Sequence, residues 1–359
     1  MRIRFLTSTP LDIRRGSGTY VGVSVLADAL RGLGHTVEFE TPRQHFPVYT
    51  FERLAYNRGL RRRPEFDLTV GFDLDGYRIA AGDRTHVAAL KGVIADEARF
   101  ERGLTRLTMS AQARWERLHV QQAARVLATS HYSAERAREF YGLPKLPLIV
   151  PELIDLAGWW GGPPGLPSGK RGQEKKADQE VRPTFTMLYA GRLYRRKRVD
   201  VLLRAAAQLR GRIPGLEVRI VGHGPCAAPL RNLSHDLKLE ATVTWLGDVP
   251  RATLVEEYNR STVFCLPSVQ EGFGIVLLEA MAARKPIVAS RAAAIPEVAP
   301  HAELVEPENP EALAAGIEAL YRSPERRAAM AAEGSRWVQQ FDAPLVARRF
   351  LEAAGNQEK

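Results

Sequence analysis

Cysteine is scarce in this sequence, and so are long apolar runs without charge. Cys226 and Cys265 are the only two cysteines, and neither belongs to a CxxC pair. A disulfide framework and a cysteine-based zinc site are therefore not expected, and a reducing cytoplasm fits this usage. Residues 1–10 are too short and too polar for a signal-peptide core, and no charge-free apolar stretch approaches the ~18 residues that a membrane span requires. We expect a protein that is soluble or bound peripherally to a membrane.

Positive charge, in contrast, is in excess. The net charge of the 359 residues is +10, and residues 1–150 alone carry 23 Lys and Arg against 16 Asp and Glu, a net charge of +7. Such an excess attracts anionic partners, among them phosphorylated substrates, nucleic acids and anionic lipid surfaces. The basic residues do not gather in a nucleic-acid-binding motif, so we expect no nucleic-acid partner.

The order of predicted strands and helices indicates the fold class. Short apolar strand patterns alternate with helical patterns in both halves of the chain, which predicts α/β architecture with two doubly wound, Rossmann-like domains. The first domain is predicted at 1–157, with its last strand at 146–156. A stretch rich in Gly, Pro and charge at 158–184 is typical of a flexible linker or insertion. The second domain is predicted at 185–342, and a helix at 343–359 is expected to pack back on the first.

The densest chemistry lies at residues 268–290, SVQEGFGIVLLEAMAARKPIVAS. Gly272 and Gly274 bracket Phe273 where a turn passes into a helix, and small residues there leave backbone N–H groups open to an anion. Glu279 is the only charged residue of an otherwise apolar helix, and a buried carboxylate needs a hydrogen-bond donor or a cation. Sugar hydroxyls would serve, and so would a structural Arg or Lys. Glu271 stands just before the turn.

A second candidate site follows the strand predicted at 184–192. Arg192 and Lys197 lie near the start of the next helix, where the helix dipole disfavours a cation unless an anion is bound. Ligands of parallel doubly wound domains bind at the carboxyl ends of the strands. The two side chains are therefore candidates for a diphosphate clamp, and a solvated basic turn is the alternative.

The first helix is preceded by a glycine-rich loop containing Gly16 and Gly18. With Gly22, and with Glu38 or Glu40 about 20 residues on, it resembles a dinucleotide fingerprint. Seven residues separate it from the first strand, however, whereas the dinucleotide motif follows its strand almost directly. A longer loop that hangs over a ligand and a plain surface loop are both compatible with this spacing.

Two weaker signals lie between residues 43 and 75. The segment 43–64 interleaves aromatic residues with arginines, which is typical of an ordinary surface helix or of a helix docked on anionic lipid. Peripheral contact with an anionic membrane, within a cytoplasmic localisation, is therefore kept as a hypothesis. Asp73 and Asp75 form a DxD pair after the strand at 67–72, and such a pair can chelate a divalent metal. No other cluster supplies further ligands, so we keep the pair as sugar or acceptor candidates and expect no metal.

Together these segments resemble a known family. AGRLYRRKR, VGHGP, TWLGDVP and the stretch 268–290 look like the donor domain of retaining family 4 glycosyltransferases, whose GT-B fold has two Rossmann-like domains facing a cleft. Glu271 and Glu279 match that family's E-x7-E spacing. The resemblance is specific over about 185–340 and looser over 1–156, where GSGTYVGVSVLADALRGLGHTV still matches the family's N-terminal loop and helix.

The resemblance implies roles for most of the candidates. Arg192 and Lys197 would bind the donor diphosphate, and Glu279 would bind the ribose hydroxyls. Glu271, with the backbone of 272–274, would face the transferred sugar, while Gly16 and Gly18 would close on the donor. Many members carry a His after the fourth strand of the first domain, whereas this chain has Lys91 there. Lys91 is a candidate for holding a sugar hydroxyl, a phosphate or an acidic acceptor, or it faces solvent.

The implied activity is a hexosyltransferase-like reaction (EC 2.4) with retention at the anomeric carbon. A nucleotide-diphosphate sugar would be the donor, and a glycan, lipid or small molecule the acceptor, without cofactor or divalent metal. Three alternatives stay open: a nucleotide-sugar epimerase or phosphorylase of the same fold, an NAD(P)-dependent oxidoreductase, and a non-catalytic protein that binds sugar nucleotides or polyanions.

Overall fold

The computed structural model describes residues 1–9, 18–43, 49–160 and 184–355. The chain forms two compact units that are each discontinuous in sequence. The first comprises Met1–Ile154, Gln270–Ile275 and Gln340–Lys359, and the second Asp155–Val269 and Val276–Gln339. The glycine-loop prediction at Gly16 and most of the predicted linker, residues 161–183, lie outside the described residues.

The first unit has a six-stranded parallel sheet in the order β2-β1-β3-β4-β5-β6. Its strands are β1 (Arg2–Leu6), β2 (Thr36–Glu40), β3 (Leu68–Phe72), β4 (His86–Leu90), β5 (Arg125–Ala128) and β6 (Leu148–Ile149). Its helices are α1 (Gly18–Gly32), α2 (Tyr49–Gly59), α3 (Ile94–Glu97), α4 (Gly103–Gln122) and α5 (His131–Tyr141), with the last helix of the chain, α14 (Ala343–Gly355), and a 3-10 turn at Ala98–Phe100.

The C-terminal helix completes the core of this first unit. Val346 and Phe350 of α14 are buried in one apolar cluster with Ile3, Phe5 and Leu30. Phe350 also packs edge-on against Phe5, with ring centroids 6.4 Å apart. The first unit therefore buries residues from both ends of the chain around one sheet.

The second unit has its own parallel sheet, in the order β12-β11-β10-β7-β8-β9. Its strands are β7 (Phe185–Ala190), β8 (Leu216–Val221), β9 (Val243–Gly247), β10 (Val263–Leu266), β11 (Ile287–Ser290) and β12 (Glu303–Val305). Its helices are α6 (Leu156–Trp160), α7 (Val199–Leu209), α8 (Ala227–Asp236), α9 (Arg251–Arg260), α10 (Ile275–Ala282), α11 (Ile295–Val298), α12 (Pro310–Arg322) and α13 (Pro324–Trp337), with 3-10 turns at Arg195–Lys197 and Val338–Phe341.

The prediction of two doubly wound α/β domains is confirmed, and two of the predicted elements are wrong in extent. The strand predicted at 146–156 shrinks to Leu148–Ile149, because the chain leaves the sheet after Val150. The helix expected to start near Lys197 begins only at Val199, because Arg198 has a left-handed backbone (φ 49°) that cannot be part of a right-handed helix. None of the helices in the described ranges combines the length and apolar character that crossing a bilayer requires.

Candidate active site

Two glycine-containing loops press together at the carboxyl ends of β7 and β8. A Cβ on Gly222 would lie 2.0 Å from the carbonyl oxygen of Gly191, and one on Gly224 would lie 2.7 Å from the backbone nitrogen of Leu193. The N–H of Leu193 donates to the carbonyl of His223 at 3.0 Å. Only glycine permits this approach, so the VGHGP loop rigidly supports the turn that carries Arg192.

Arg192 occupies this supported turn, two residues beyond the end of β7. Its backbone carbonyl accepts a hydrogen bond from the hydroxyl of Tyr189 at 3.1 Å. Its guanidinium lies over the ring of Tyr194, with the carbon Cζ 5.9 Å from the ring centroid. Within the described ranges no carboxylate pairs with this guanidinium. The half-buried cation is therefore available to an anion at this edge of the sheet.

The basic turn that follows Arg192 divides into structural and candidate residues. Arg198 donates two hydrogen bonds to the carboxylate of Asp200, at 3.0 and 2.9 Å, and pairs with Glu308. Its charge is thus neutralised within the second unit. Lys197 ends the short 3-10 turn and is half-buried. The carbonyl of Arg196 accepts a bond from the N–H of Val269 at 2.9 Å, which joins this turn to the chain leaving β10.

Glu279 is buried in α10, and its partner is a tyrosine rather than a cation. The hydroxyl of Tyr258 donates to Oε2 of Glu279 at 2.9 Å. No hydrogen bond from a described residue reaches Oε1, the second carboxyl oxygen. Because β7 and β10 are neighbouring strands, the α10 helix and the Arg192 turn follow adjacent strands of one sheet. Among the residues that the structure describes, no Arg or Lys forms an ion pair with Glu279, although the charge of Arg251 acts on it.

Burial makes Glu279 unusually ready to hold a proton. Desolvation raises the pKa of this carboxyl to about 7, opposed by the Tyr258 hydrogen bond and by the charge of Arg251. A carboxyl with one unoccupied oxygen and a pKa close to neutrality both accepts and donates hydrogen bonds. Such a group suits a ligand that carries hydroxyls.

The segment from Gln270 to Ile275 belongs to the first unit, where hydroxyl groups hold it. The carbonyl of Gly272 accepts hydrogen bonds from the side chains of Ser130 at 2.6 Å and Ser133 at 2.8 Å. Ser130 also caps α5, because its Oγ accepts from the N–H of Ser133 at 3.0 Å. A Cβ on Gly272 would lie 3.1 Å from the carbonyl oxygen of Lys91. This close packing requires glycine at position 272. The sequence analysis had explained Gly272 only by the access of an anion to the backbone N–H groups.

The residues that flank Gly272 have different environments. Glu271 is buried, with 6% of its surface exposed. The side chain of Phe273 is also buried and packs edge-on against Phe341, with centroids 5.6 Å apart. Only the backbone of Phe273 is therefore left for a ligand. Gly274 has a left-handed backbone (φ 90°) and directly precedes α10, as the predicted turn into a helix requires.

Lys91 does not face solvent, because it forms a buried ion pair. Its Nζ donates to Oε2 of Glu152 at 2.9 Å, and the two side chains are only 8% and 7% exposed. The backbone N–H of Lys91 donates to Asp73 at 2.8 Å. A Cβ on Gly22 would lie 2.3 Å from Oε2 of Glu152, so α1 packs directly on the pair. A ligand that contacts Lys91 would therefore have to share the ammonium group with Glu152.

Asp73 and Asp75 are held by the protein rather than open to a metal. Oδ2 of Asp75 accepts from the N–H and the hydroxyl of Ser8, both at 2.6 Å, and Oδ1 accepts from Asn57 at 3.0 Å. The guanidinium of Arg53 lies 3.5 Å from Asp75 and 4.0 Å from Asp73. In the ranges that the structure describes, no three His, Cys, Asp or Glu side chains are grouped to hold a metal ion. Asp75 therefore stabilises the first unit, and sugar or acceptor contact by it is not supported.

Asp73 remains more accessible, and burial raises its pKa to about 6. Its carbonyl oxygen lies 2.5 Å from Nδ1 of His119, and Nε2 of His119 lies 2.8 Å from Nε2 of His86. A carbonyl only accepts, so Nδ1 of His119 carries its proton and Nε2 accepts from His86. Burial lowers the pKa of His86 to about 2 and that of His119 to about 4. Both rings are neutral, and they join α4 to the ends of β3 and β4.

The sequence did not predict the partners of two candidate residues, namely Glu152, which pairs with Lys91, and Tyr258, which donates to Glu279. Glu152 is the only acid in the apolar run LPLIVPEL, the same anomaly that singled out Glu279, and that signal was overlooked. Tyr258 gave no signal, because a tyrosine in an amphipathic helix is ordinary. Its role follows only from the packing of α9 against the start of α10.

Comparison with known proteins shows which proteins this chain is similar to. Residues 171–337 match the family described as glycosyl transferases group 1. The chain is 33% identical over 233 residues to D-inositol 3-phosphate glycosyltransferase of Pseudarthrobacter chlorophenolicus. The aligned region covers 61% of this chain and 54% of that protein. It is 31% identical over 192 residues to a GDP-mannose-dependent alpha-(1-6)-phosphatidylinositol monomannoside mannosyltransferase of Mycobacterium tuberculosis, covering 49% of this chain and 50% of that protein. The chain thus spans about half the length of the curated relatives it matches.

The fold is also that of solved glycosyltransferases. The crystal structure of Anabaena Alr3699/HepE in complex with UDP-glucose superposes with a TM-score of 0.73 and 18% identity, covering 99% of each chain. At this identity the likeness establishes the two-domain GT-B fold and nothing finer.

Proposed function

We propose that this chain, whose residues 171–337 match the family described as glycosyl transferases group 1, transfers a sugar from a nucleotide-diphosphate sugar to an acceptor. One observation carries the proposal: one oxygen of the buried Glu279 receives no hydrogen bond from a described residue, and the available cation of Arg192 follows the neighbouring strand. The first suits the ribose hydroxyls of a nucleotide, and the second suits its diphosphate. The crystal structure of a chain of the same fold contains UDP-glucose, which supports this class of donor.

The proposed mechanism depends on charge stabilisation at the leaving group. The bond between the anomeric carbon and the donor phosphate breaks, and a bond from the acceptor hydroxyl oxygen to that carbon forms on the same face, with retention. The acceptor's proton passes to the departing phosphate oxygen, so no protein nucleophile is required. Arg192 and Lys197 stabilise the developing negative charge, and positive groups already oriented there act without a divalent metal. Glu271 orients the transferred sugar.

The acceptor and the cellular setting belong to the same proposal. The second unit is the donor domain and the first unit the acceptor side. The acceptor is a glycan, a lipid or a small molecule; both curated relatives are named for inositol-containing molecules, so inositol phosphates belong in the screen. We place the protein in the cytoplasm, in peripheral contact with the inner face of an anionic membrane.

A binding screen followed by kinetics tests the proposal. UDP, GDP and ADP sugars are ranked by thermal shift, because a bound ligand raises the melting temperature by mass action. With the best donor, Arg192→Ala and Lys197→Ala should each lower kcat/KM by about tenfold to a thousandfold. Arg195→Ala is the matched control, because it removes an exposed arginine from the same turn. Equal rates for all three variants would refute the assignment.

Product analysis separates the alternatives. A glycosyltransferase consumes donor only when acceptor is present, whereas an epimerase needs no acceptor and a phosphorylase needs inorganic phosphate. A thermal shift with a nicotinamide dinucleotide would support an oxidoreductase. If the protein binds donor but does not consume it with any acceptor, the non-catalytic alternative of a sugar-nucleotide-binding protein would be supported.

A further inference from the structure

Tyr258 is a fully buried tyrosine whose hydroxyl lies within reach of two acceptors in helix α10. The hydroxyl oxygen is 2.9 Å from Oε2 of Glu279 and 3.2 Å from the backbone carbonyl oxygen of Val276. A tyrosine hydroxyl carries one proton, so it donates fully to only one of these oxygens at a time. The shorter distance favours Glu279, and an ionised carboxylate accepts a stronger hydrogen bond than a neutral carbonyl does.

Aromatic packing fixes the position of this hydroxyl. The ring of Tyr258 meets the ring of Trp159 edge to face, with centroids 5.6 Å apart, and the centroid of the Phe264 ring is 5.5 Å away. Because protein interiors are close-packed, the tyrosine ring cannot swing aside without displacing these neighbours. The hydroxyl is therefore a donor held in place, and it occupies Oε2 of Glu279 rather than Oε1.

Tyr258 also opposes the protonation of Glu279. Burial raises the pKa of this carboxyl to about 7, and the Tyr258 hydrogen bond lowers it more than the charge of Arg251 does. Arg251 is exposed at the start of α9, where water and salt screen its charge. Burial and the neighbouring Glu279 raise the pKa of the Tyr258 hydroxyl well above its ordinary value, and Tyr189 acts in the same direction. The hydroxyl therefore keeps its proton and remains a donor.

The protonation state of Glu279 decides how strongly it binds hydroxyl groups. Oε1 receives no hydrogen bond from a described residue, and in the ionised carboxylate this oxygen has lone pairs for two hydroxyls. Hydrogen bonds to an ionised group are about twice as strong as those between neutral groups. A protonated carboxyl loses both the charge and part of its acceptor capacity. A residue that favours the ionised form therefore strengthens the binding of two neighbouring hydroxyls, such as those of a ribose.

We propose that Tyr258 is a positioning residue for donor binding: it holds Oε2 of Glu279, so that the ionised carboxylate presents Oε1 to two hydroxyls of the nucleotide ribose. The inference rests on the proposed function, because it concerns the donor that Glu279 would bind. Tyr258 acts only through Glu279 and does not itself touch the donor. Its contribution to affinity therefore depends on pH, and it is largest where loss of its hydrogen bond allows Glu279 to become protonated.

Donor affinity measured against pH tests this role. The full chain is titrated calorimetrically with UDP-glucose, GDP-mannose and ADP-glucose between about pH 6 and about pH 8.5, a range in which the diphosphate of a nucleotide sugar stays ionised. The affinity of the wild type for the best of the three should fall as pH drops through about 7. In Tyr258→Phe this midpoint should move up by about one pH unit. The ratio of the variant's Kd to the wild type's should then be about tenfold larger at the acid end of the range than at the alkaline end.

Two further variants separate positioning from a purely structural effect. Tyr141→Phe is the matched control, because it removes a buried tyrosine hydroxyl that donates to the buried carboxyl of Glu116 in the first unit. Its pH profile of donor affinity should match that of the wild type. Glu279→Gln has no titrating carboxyl at this position, so its profile should be flat through pH 7, and adding Tyr258→Phe to it should leave the profile flat.

The outcomes distinguish this inference from the proposed function. If Tyr258→Phe raises Kd by the same factor at every pH, the tyrosine is only structural, and the inference alone is overturned. A wild type that binds none of the three nucleotide sugars would refute the proposed function and the inference together.

A measurement on the wild type does not depend on the folding of Tyr258→Phe. The carbon-13 NMR signal of the Glu279 carboxyl, assigned by its loss in Glu279→Gln, should titrate near pH 7 and shift to lower pH when nucleotide sugar is bound. An unchanged midpoint in the presence of bound donor would overturn the inference, because the donor would then not favour the ionised carboxylate.

Discussion

The ion pair between Lys91 and Glu152 allows a quantitative test of the structure. Both side chains are more than nine-tenths buried, and the nitrogen–oxygen distance is 2.9 Å. Glu152→Gln keeps the volume and the acceptor oxygen but leaves the Lys91 ammonium without a counter-charge. Removing one partner of a buried pair costs about 3–5 kcal/mol. For domains of 150–250 residues, where 1 kcal/mol is about 2–4 °C, the melting temperature should fall by roughly 6–20 °C.

Differential scanning calorimetry of three variants and the wild type separates the charge effect from other causes. Lys91→Met with Glu152→Leu removes both charges and should recover most of the loss, since a well-packed apolar pair often replaces a buried ion pair without cost. Asp28→Asn breaks the exposed pair with Arg31 in α1, whose side chains are 73% and 43% exposed, and should cost no more than about 1 kcal/mol. A drop for Glu152→Gln as small as that for Asp28→Asn would refute the reasoning.

Gly22 gives an independent measurement of the same pair. In Gly22→Ala the new Cβ meets Oε2 of Glu152 at 2.3 Å and must displace the ion pair, so we expect a loss of about 1–3 kcal/mol. Gly32→Ala, in the same helix with nothing within 4 Å, should be neutral or slightly stabilising. Equal melting temperatures for the two variants would mean that α1 does not pack on the pair.

Two further predictions concern protonation. Folded Glu279 keeps its proton up to about pH 7, whereas the unfolded carboxyl loses it near 4.5, so the native state binds more protons and this group destabilises the fold as pH rises through that window. Glu279→Gln should therefore raise the melting temperature above pH 7, on the order of 1–3 kcal/mol of stability, while weakening donor binding; a variant less stable than wild type at pH 8 contradicts this. His86 and His119 stay neutral in the fold, so their contribution is present above about pH 6.5 and is lost as pH falls below it, because the unfolded rings bind protons first. Their ring signals in NMR should keep the shifts of neutral imidazole down to about pH 5, and titration near pH 6.5 would show that the two rings are not buried together.

The local sequence was sufficient to predict those features that depend only on the residues of one short segment. The alternation of strands and helices predicted both parallel sheets, which the structure confirms. Glu279 was singled out as a lone acid in an apolar helix, and it is buried with no ion-pair partner among the described residues. These signals are readable because apolar periodicity and an isolated charge are properties of short segments.

The partners of the candidate residues could not be read in this way. Lys91 and Glu152 are 61 residues apart, and the order of strands alone brings them within 2.9 Å. Asp75 was a sugar or acceptor candidate, but Ser8 and Asn57, which are far away in sequence, donate hydrogen bonds to its two oxygens. The membrane hypothesis followed aromatic and arginine residues at 43–64, yet which apolar side chains remain exposed depends on which face each helix buries.

The amino-acid sequence by itself determined the fold class, the edge of each sheet at which polar chemistry collects, and the isolated acid in α10. Those features follow from the repeat of apolar residues and from the energetic cost of burying one charge. Tertiary structure decided which charges are neutralised and which stay available: Arg198 and Lys91 are neutralised by acids, and no acid of the described ranges pairs with Arg192. The physical reason is that an electrostatic interaction depends on distance in space and on exclusion of water, and the fold sets both.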